Sequence, residues 1–294
     1  VIGANPVLEA PGLRGVKGLA LLASLAACAP SGRPPVATVA GAGAPAGRPS
    51  VDVVAAPLEA EDRDAPSDVP PEGPSVDPSR EAPPLHPELE PFRVGHERAV
   101  WTLPSRDGGR DVPLVYLHGR CGDPKAFAAF GHAAAERGTV VSFVGDEPCK
   151  DGQRFKWSGD VVSLDRRISR TLAALDAAKG TKLASGERAV IGYSQGSLMA
   201  EALGTRFPER YPRVVLIGGP RAPREDSLSK SKAILLMAGT RDLRAHLREA
   251  RDDLAQRGRT VRYVELEGAR HGEYGPAAEP TMAEALDWLL GVAP

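Results

Sequence analysis

Three residues in this sequence could together activate an oxygen nucleophile: Ser194, Asp242 and His271. Ser194 is the centre of Gly192-Tyr193-Ser194-Gln195-Gly196, a G-x-S-x-G pentapeptide that reads as a strand, a tight turn with serine at its tip, and a helix start. A serine hydroxyl is a weak nucleophile until a neighbouring base takes its proton, and that base needs a third group to fix its tautomer. His271 has the chemistry of the base and Asp242 that of the orienting acid. Each of the three follows an apolar run, Asp242 through Gly239-Thr240-Arg241 and His271 through Glu267-Gly268-Ala269-Arg270, where a sheet presents its catalytic groups. The competing candidates are less well placed. Asp226 precedes its apolar run, Asp252 and Asp253 fall in a helix-like stretch, and the other five histidines lie in the tether, before the sheet, in a turn or in helical stretches.

Acyl transfer also needs donors for the oxyanion that forms on attack. Gln195 opens a helix immediately after the nucleophile, so its amide is one candidate donor. The second is the amide of Arg120, in the turn His118-Gly119-Arg120-Cys121-Gly122-Asp123 that follows Leu114-Val115-Tyr116-Leu117. Gly119 lets the main chain of that turn approach a substrate closely. Tyr193 and Trp157 are the candidate substrate contacts. For Trp157, lining a pocket and packing in the core are equally open readings. Cys121 and Cys149 fall in loops after neighbouring strands, and an oxidising compartment would join them in a disulfide worth roughly 3 kcal/mol. Free thiols and a metal pair are the alternatives, and the lack of nearby ligand residues makes this a poor metal site.

Near-continuous apolar runs at 99–103, 113–117, 139–144, 188–192, 213–218, 233–238 and 260–266 predict strands covered on both faces. Helix-like stretches alternate with them at 124–137, 158–179, 197–207, 243–257 and 277–290. In the second of these, Val161, Leu164, Ile168, Leu172 and Leu175 form a stripe of one helical face. The alternation predicts an α/β sandwich with a mostly parallel central sheet flanked by helices and no large cap domain. In such sheets ligands bind at the carboxyl ends of the strands, where all the candidate residues fall.

The chain has 294 residues, 42% apolar and 26% charged, enough to bury a core. Its composition is uneven, with 16 of 28 prolines in residues 1–90. Residues 51–90 carry eleven acids and two arginines, whereas residues 91–294 carry 31 basic and 26 acidic side chains, without the basic stripe of a nucleic-acid binder. Arg14 and Lys17 precede the apolar stretch 18–27 and Cys28, the layout of an export signal too short to span a bilayer comfortably. Leu25-Ala26-Ala27-Cys28 resembles the lipobox of bacterial lipoproteins, which implies lipidation at Cys28; an ordinary cleaved signal or a plain apolar helix are the other readings. The expected organisation is a signal at 1–27, a lipidated cysteine with a proline-rich acidic tether at 28–94, and a folded domain at 95–294. The domain would then be held at the bacterial cell envelope, at the outer membrane or the periplasmic face, with Ala29 compatible with outer-membrane sorting.

Leu117-His118-Gly119, then Gly122-Asp123, together with the serine pentapeptide and the order Ser194, Asp242, His271, resemble the α/β-hydrolase superfamily. Within it, they are similar to the phospholipase/carboxylesterase and acyl-thioesterase branch. The resemblance covers roughly residues 110–294. It implies hydrolysis of a carboxylic ester or thioester without a cofactor; a small-molecule or lipid-like substrate, no metal and a monomeric catalytic domain are the accompanying expectations. Two departures from the branch stand out: Cys121 lengthens the oxyanion turn by one residue, and Asp242 is followed by Leu243-Arg244 rather than a valine-proline type segment. A peptidase or amidase, or a surface-binding lipoprotein that kept the fold without activity, would use the same framework.

Overall fold

Strands buried on both faces are the simplest consequence of the apolar runs, and three of them form the middle of the sheet. The computed structural model describes residues 87–106 and 112–291. Cys28, the signal-like segment 1–27 and residues 28–86 of the expected tether lie outside the described residues. Strands β3 (Pro113–Leu117), β4 (Thr139–Phe143) and β7 (Ala189–Tyr193) are buried along their whole length. With β8 (Arg213–Ile217), β9 (Ala233–Gly239) and β10 (Val261–Leu266) they run parallel, in the spatial order β4-β3-β7-β8-β9-β10.

Strand β2 (Val100–Leu103) joins antiparallel to β4, and β1 (Glu90–Phe92) closes that edge antiparallel to β2. β1 was not expected, because its residues fall in the stretch assigned to the tether. The folded part reaches back into that stretch. Leu89 packs against the core and the Thr102 hydroxyl donates to the Glu90 carbonyl at 3.1 Å. A three-residue strand with a central proline has no readable period, and its missing N–H is tolerated at a sheet edge.

Alternation along each strand divides the core into two layers. Leu114, Tyr116, Ile191, Val215, Leu235 and Met237 face helices α1 (Gly131–Ala135) and α5 (Ala278–Leu290). Val115, Leu117, Val190, Val214, Ile234 and Leu236 face α2 (Val161–Lys179), α3 (Gln195–Arg206) and α4 (Ala245–Gln256). Helix α2 presents Leu164, Ile168, Leu172 and Leu175 to the sheet as the stripe predicts. Asp160 caps its start by accepting from the amides of Val162 and Ser163, and Gly180 ends it in a left-handed conformation.

The long helix predicted at 124–137 is instead a 3-10 turn, Ala126–Phe130, followed by the short α1. In a 3-10 turn residues three apart eclipse, which puts Phe127 and Phe130 on one side, both against the Tyr116 ring. A two-stranded ribbon, β5 (Glu147–Pro148) with β6 (Phe155–Lys156), rises from the loop after β4.

Candidate active site

The nucleophile turn is fixed by close main-chain packing. A side chain at Gly192 would place its Cβ 2.2 Å from the Gly196 carbonyl oxygen, and one at Gly196 would place it 2.1 Å from that of Leu117. Only glycine lets α3 start directly against β7 and the end of β3. Ser194 itself has φ 51° and ψ −114°, a left-handed backbone that costs a β-carbon residue about 1–3 kcal/mol. The conformation is held by its amide, which donates to the Ile217 carbonyl at 2.8 Å, and by Ser197, whose amide and hydroxyl donate to the Ser194 carbonyl at 3.0 and 2.6 Å.

Asp242 and His271 come to this turn from the loops after β9 and β10. His271 Nε2 lies 3.1 Å from Ser194 Oγ, and His271 Nδ1 lies 2.8 Å from Asp242 Oδ2. A carboxylate only accepts, so Nδ1 carries the imidazole proton and Nε2 is left to accept from the serine hydroxyl. The other oxygen of Asp242 accepts from the Leu243 amide at 2.7 Å. The Asp242 side chain is 8% exposed and that of His271 51% exposed, so the acid is enclosed while the base opens to solvent. The two loops are stitched by main chain: Thr240 and Arg241 amides donate to the Leu266 and Ala269 carbonyls, both at 3.0 Å, and the Gly268 amide donates to the Thr240 hydroxyl at 2.9 Å.

The opposite side of the serine is the turn after β3. A methyl on Gly119 would sit 3.3 Å from Ser194 Cβ, which measures how near that main chain comes. Arg120, one of the two expected oxyanion donors, lines the same cleft as Ser194, and Gln195, the other, follows Ser194 as the first residue of α3. His118 is buried and acts as a clamp. Its Nε2 accepts from the Gly145 amide at 3.0 Å and its Nδ1 donates to the Gly119 carbonyl at 2.6 Å, which requires the neutral ring. Burial lowers its pKa from the usual 6.5, with the Gly119 carbonyl opposing that shift.

Trp157 resolves to the core reading rather than to a substrate contact. It is 4% exposed, its ring packs on His118 with centroids 5.1 Å apart, and its Nε1 donates to the His118 carbonyl at 2.8 Å. An indole N–H taken out of water needs an acceptor, and the acceptor it finds is a carbonyl of the turn after β3. Its main chain is gripped by the Gln195 side chain, which accepts from the Trp157 amide at 3.2 Å and donates to the Trp157 carbonyl at 3.0 Å. Cys121 and Cys149 form a disulfide with α-carbons 6.0 Å apart, and the Cys121 amide donates to Phe155 of the ribbon at 2.9 Å.

Tyr193 does line the cleft, with Tyr116, Tyr274, Ala126, Asp123 and Gly272; the space is about 470 Å³ including solvent at its mouth. The Tyr193 hydroxyl accepts from the Gly272 amide at 2.6 Å, and its ring lies 5.6 Å from that of His271. Beneath it the Tyr116 and Tyr274 hydroxyls pair at 2.7 Å, and burial pushes both phenols above their usual pKa of 10.0, so they stay neutral. The sequence reading missed His118 as a clamp and the paired tyrosines. Tyr274, three residues past His271, carried no signal of its own. Among the described residues no group of three or more His, Cys, Asp or Glu side chains is placed to hold a metal ion, and no helix is long and apolar enough to cross a membrane.

No protein-family model matches this chain, and no curated protein matches it in sequence. Solved structures match its architecture. Esterase PE8 superposes with a TM-score of 0.50 at 20% identity, over 64% of this chain and 97% of its own. A dienelactone hydrolase from Anabaena variabilis does so with a TM-score of 0.50 at 18% identity, over 69% of this chain and 98% of its own. The chain therefore has the α/β-hydrolase fold, with its serine, acid and histidine at the carboxyl ends of β7, β9 and β10.

Proposed function

We propose that this protein is a serine hydrolase that cleaves a carboxylic ester or thioester through an acyl-enzyme. The observation that carries the reading is the hydrogen-bonded chain Ser194–His271–Asp242, at 3.1 and 2.8 Å, opening into a solvent-reached cleft. His271 Nε2 takes the hydroxyl proton as Ser194 Oγ adds to the carbonyl carbon. The oxyanion accepts from the Arg120 and Gln195 amides, the latter at the positive end of α3. The imidazolium, steadied by Asp242, then protonates the leaving alcohol or thiol as the tetrahedral intermediate collapses. Water, deprotonated by the same histidine, releases the acid and restores Ser194.

Ser194→Ala is expected to abolish turnover of 4-nitrophenyl acetate and butyrate with an unchanged circular dichroism spectrum. Undiminished turnover in that variant would refute the nucleophile assignment. We further propose that the domain is anchored to a cell-envelope membrane through lipid on Cys28, with the acidic proline-rich segment as tether. Cells grown with labelled palmitate should tag the protein, and Cys28→Ala should stay unlabelled.

A further inference from the structure

Each cysteine of the disulfide has a cation beside it: Arg120 precedes Cys121 and Lys150 follows Cys149. The bond holds the two cysteine α-carbons 6.0 Å apart, so it joins two loops that each carry a cation. Over it runs a groove lined by Arg120, Cys121, Lys150, Asp151, Arg154 and Lys156, with about 790 Å³ of space including solvent at its mouth. Two of its cations are already matched, Arg154 by Asp151 at 2.6 Å and Lys156 by Glu147 at 3.0 Å. Among the described residues, the Arg120 guanidinium and the Lys150 ammonium have no such carboxylate. Arg120 also lines the cleft of Ser194, so the two spaces share a wall. Asp123, on the lining of the serine cleft, has one oxygen engaged by the Lys125 amide at 2.8 Å.

Neighbouring cations without acids raise a local positive potential, and a planar guanidinium matches a carboxylate in a two-point contact. We propose, on the basis of the hydrolase reading, that the substrate is an ester carrying a second, anionic group. Its carboxylate sits between Arg120 and Lys150 while Ser194 attacks the ester carbonyl. The charge belongs either to the acyl part, as in a half-ester of a dicarboxylic acid, or to the alcohol part.

The test compares kcat/KM for matched esters of near-equal size. The 4-nitrophenyl half-ester of glutaric acid against 4-nitrophenyl pentanoate reads a charge on the acyl side. The acetate of 3-carboxy-4-nitrophenol against 4-nitrophenyl acetate reads it on the alcohol side. One charged ester is expected to be favoured by about tenfold, from two exposed ion pairs. That ratio should fall by about threefold in Lys150→Met, return in Lys150→Arg, and shrink as salt is added. A ratio at or below one for both pairs, or a ratio indifferent to Lys150→Met, overturns the proposal while leaving the hydrolase reading in place. Calorimetric binding of the glutarate half-ester to Ser194→Ala, weakened by adding Lys150→Met, reads the anion site without turnover. Binding equal in the two proteins counts against the site even if the hydrolase reading itself fails.

Discussion

The two walls that flank Ser194 are built by different means. The wall carrying His271 and Asp242 is held by hydrogen bonds donated by main-chain amides, to carbonyls of the adjacent loop and to the Thr240 and Tyr193 hydroxyls, and its histidine is half exposed. The wall carrying Arg120 is held by side chains and a covalent bond: His118 clamps it to the loop after β4, Trp157 supports it from below, and the disulfide ties it to the ribbon. The proposed chemistry asks for that difference. A base that takes and returns a proton has to follow the proton between two oxygens, whereas oxyanion donors work by already being in place when charge develops.

Breaking the first wall should cost most in rate. Asp242→Asn keeps the shape but lets the amide favour the wrong imidazole tautomer, so kcat on 4-nitrophenyl butyrate should fall by about 10³–10⁴-fold with little change in thermal midpoint. Breaking the second wall should divide its effect between rate and stability. The double variant Cys121→Ser/Cys149→Ser should lose roughly 3 kcal/mol in chemical denaturation. Its kcat should fall by about 10–100-fold with KM nearly constant, because a loosened donor weakens the transition state more than the bound ester. If that variant kept full kcat, the disulfide would be a staple of the ribbon alone.

The smallest effect is one of pH, and it sharpens the comparison. Burial holds the pKa of His118 below its usual 6.5, so the folded state binds fewer protons than the unfolded chain as pH falls through that value. The stability linked to this neutral ring is fully present above about pH 6.5 and declines on acidification toward its folded-state pKa. His118→Gln, which cannot ionise, should flatten this part of the stability profile in urea unfolding measured between pH 5 and 7.5. An unchanged slope would remove His118 from the account.

These contrasts also explain which parts could be read in the sequence. Parallel strands buried on both faces betray themselves as apolar runs, and Ser194 and Asp242 sit just past two of them, β7 and β9; β10, the strand before His271, is a half-buried edge strand rather than the doubly covered one expected at 260–266. The glycines at 192 and 196 were legible for the same reason, because the turn has one steric solution. The other wall depends on partners that local pattern does not pair. Trp157 meets the His118 carbonyl, and His118 meets Gly145, through contacts between separate loops. Strand β1 and the β5–β6 ribbon, at three and two residues per strand, are too short to show a period. The 3-10 turn at Ala126–Phe130 is chosen by two phenyl rings seeking one tyrosine, a tertiary demand that overrides helix propensity.

Ser194, activated by His271, is the proposed nucleophile. Its most direct test is reaction of the folded protein with a fluorophosphonate probe, followed by peptide mapping of the adduct. One adduct is expected, on Ser194, absent from Ser194→Ala and strongly slowed in His271→Ala. Folded protein that takes no label, or that takes it on another serine such as Ser197, would contradict it.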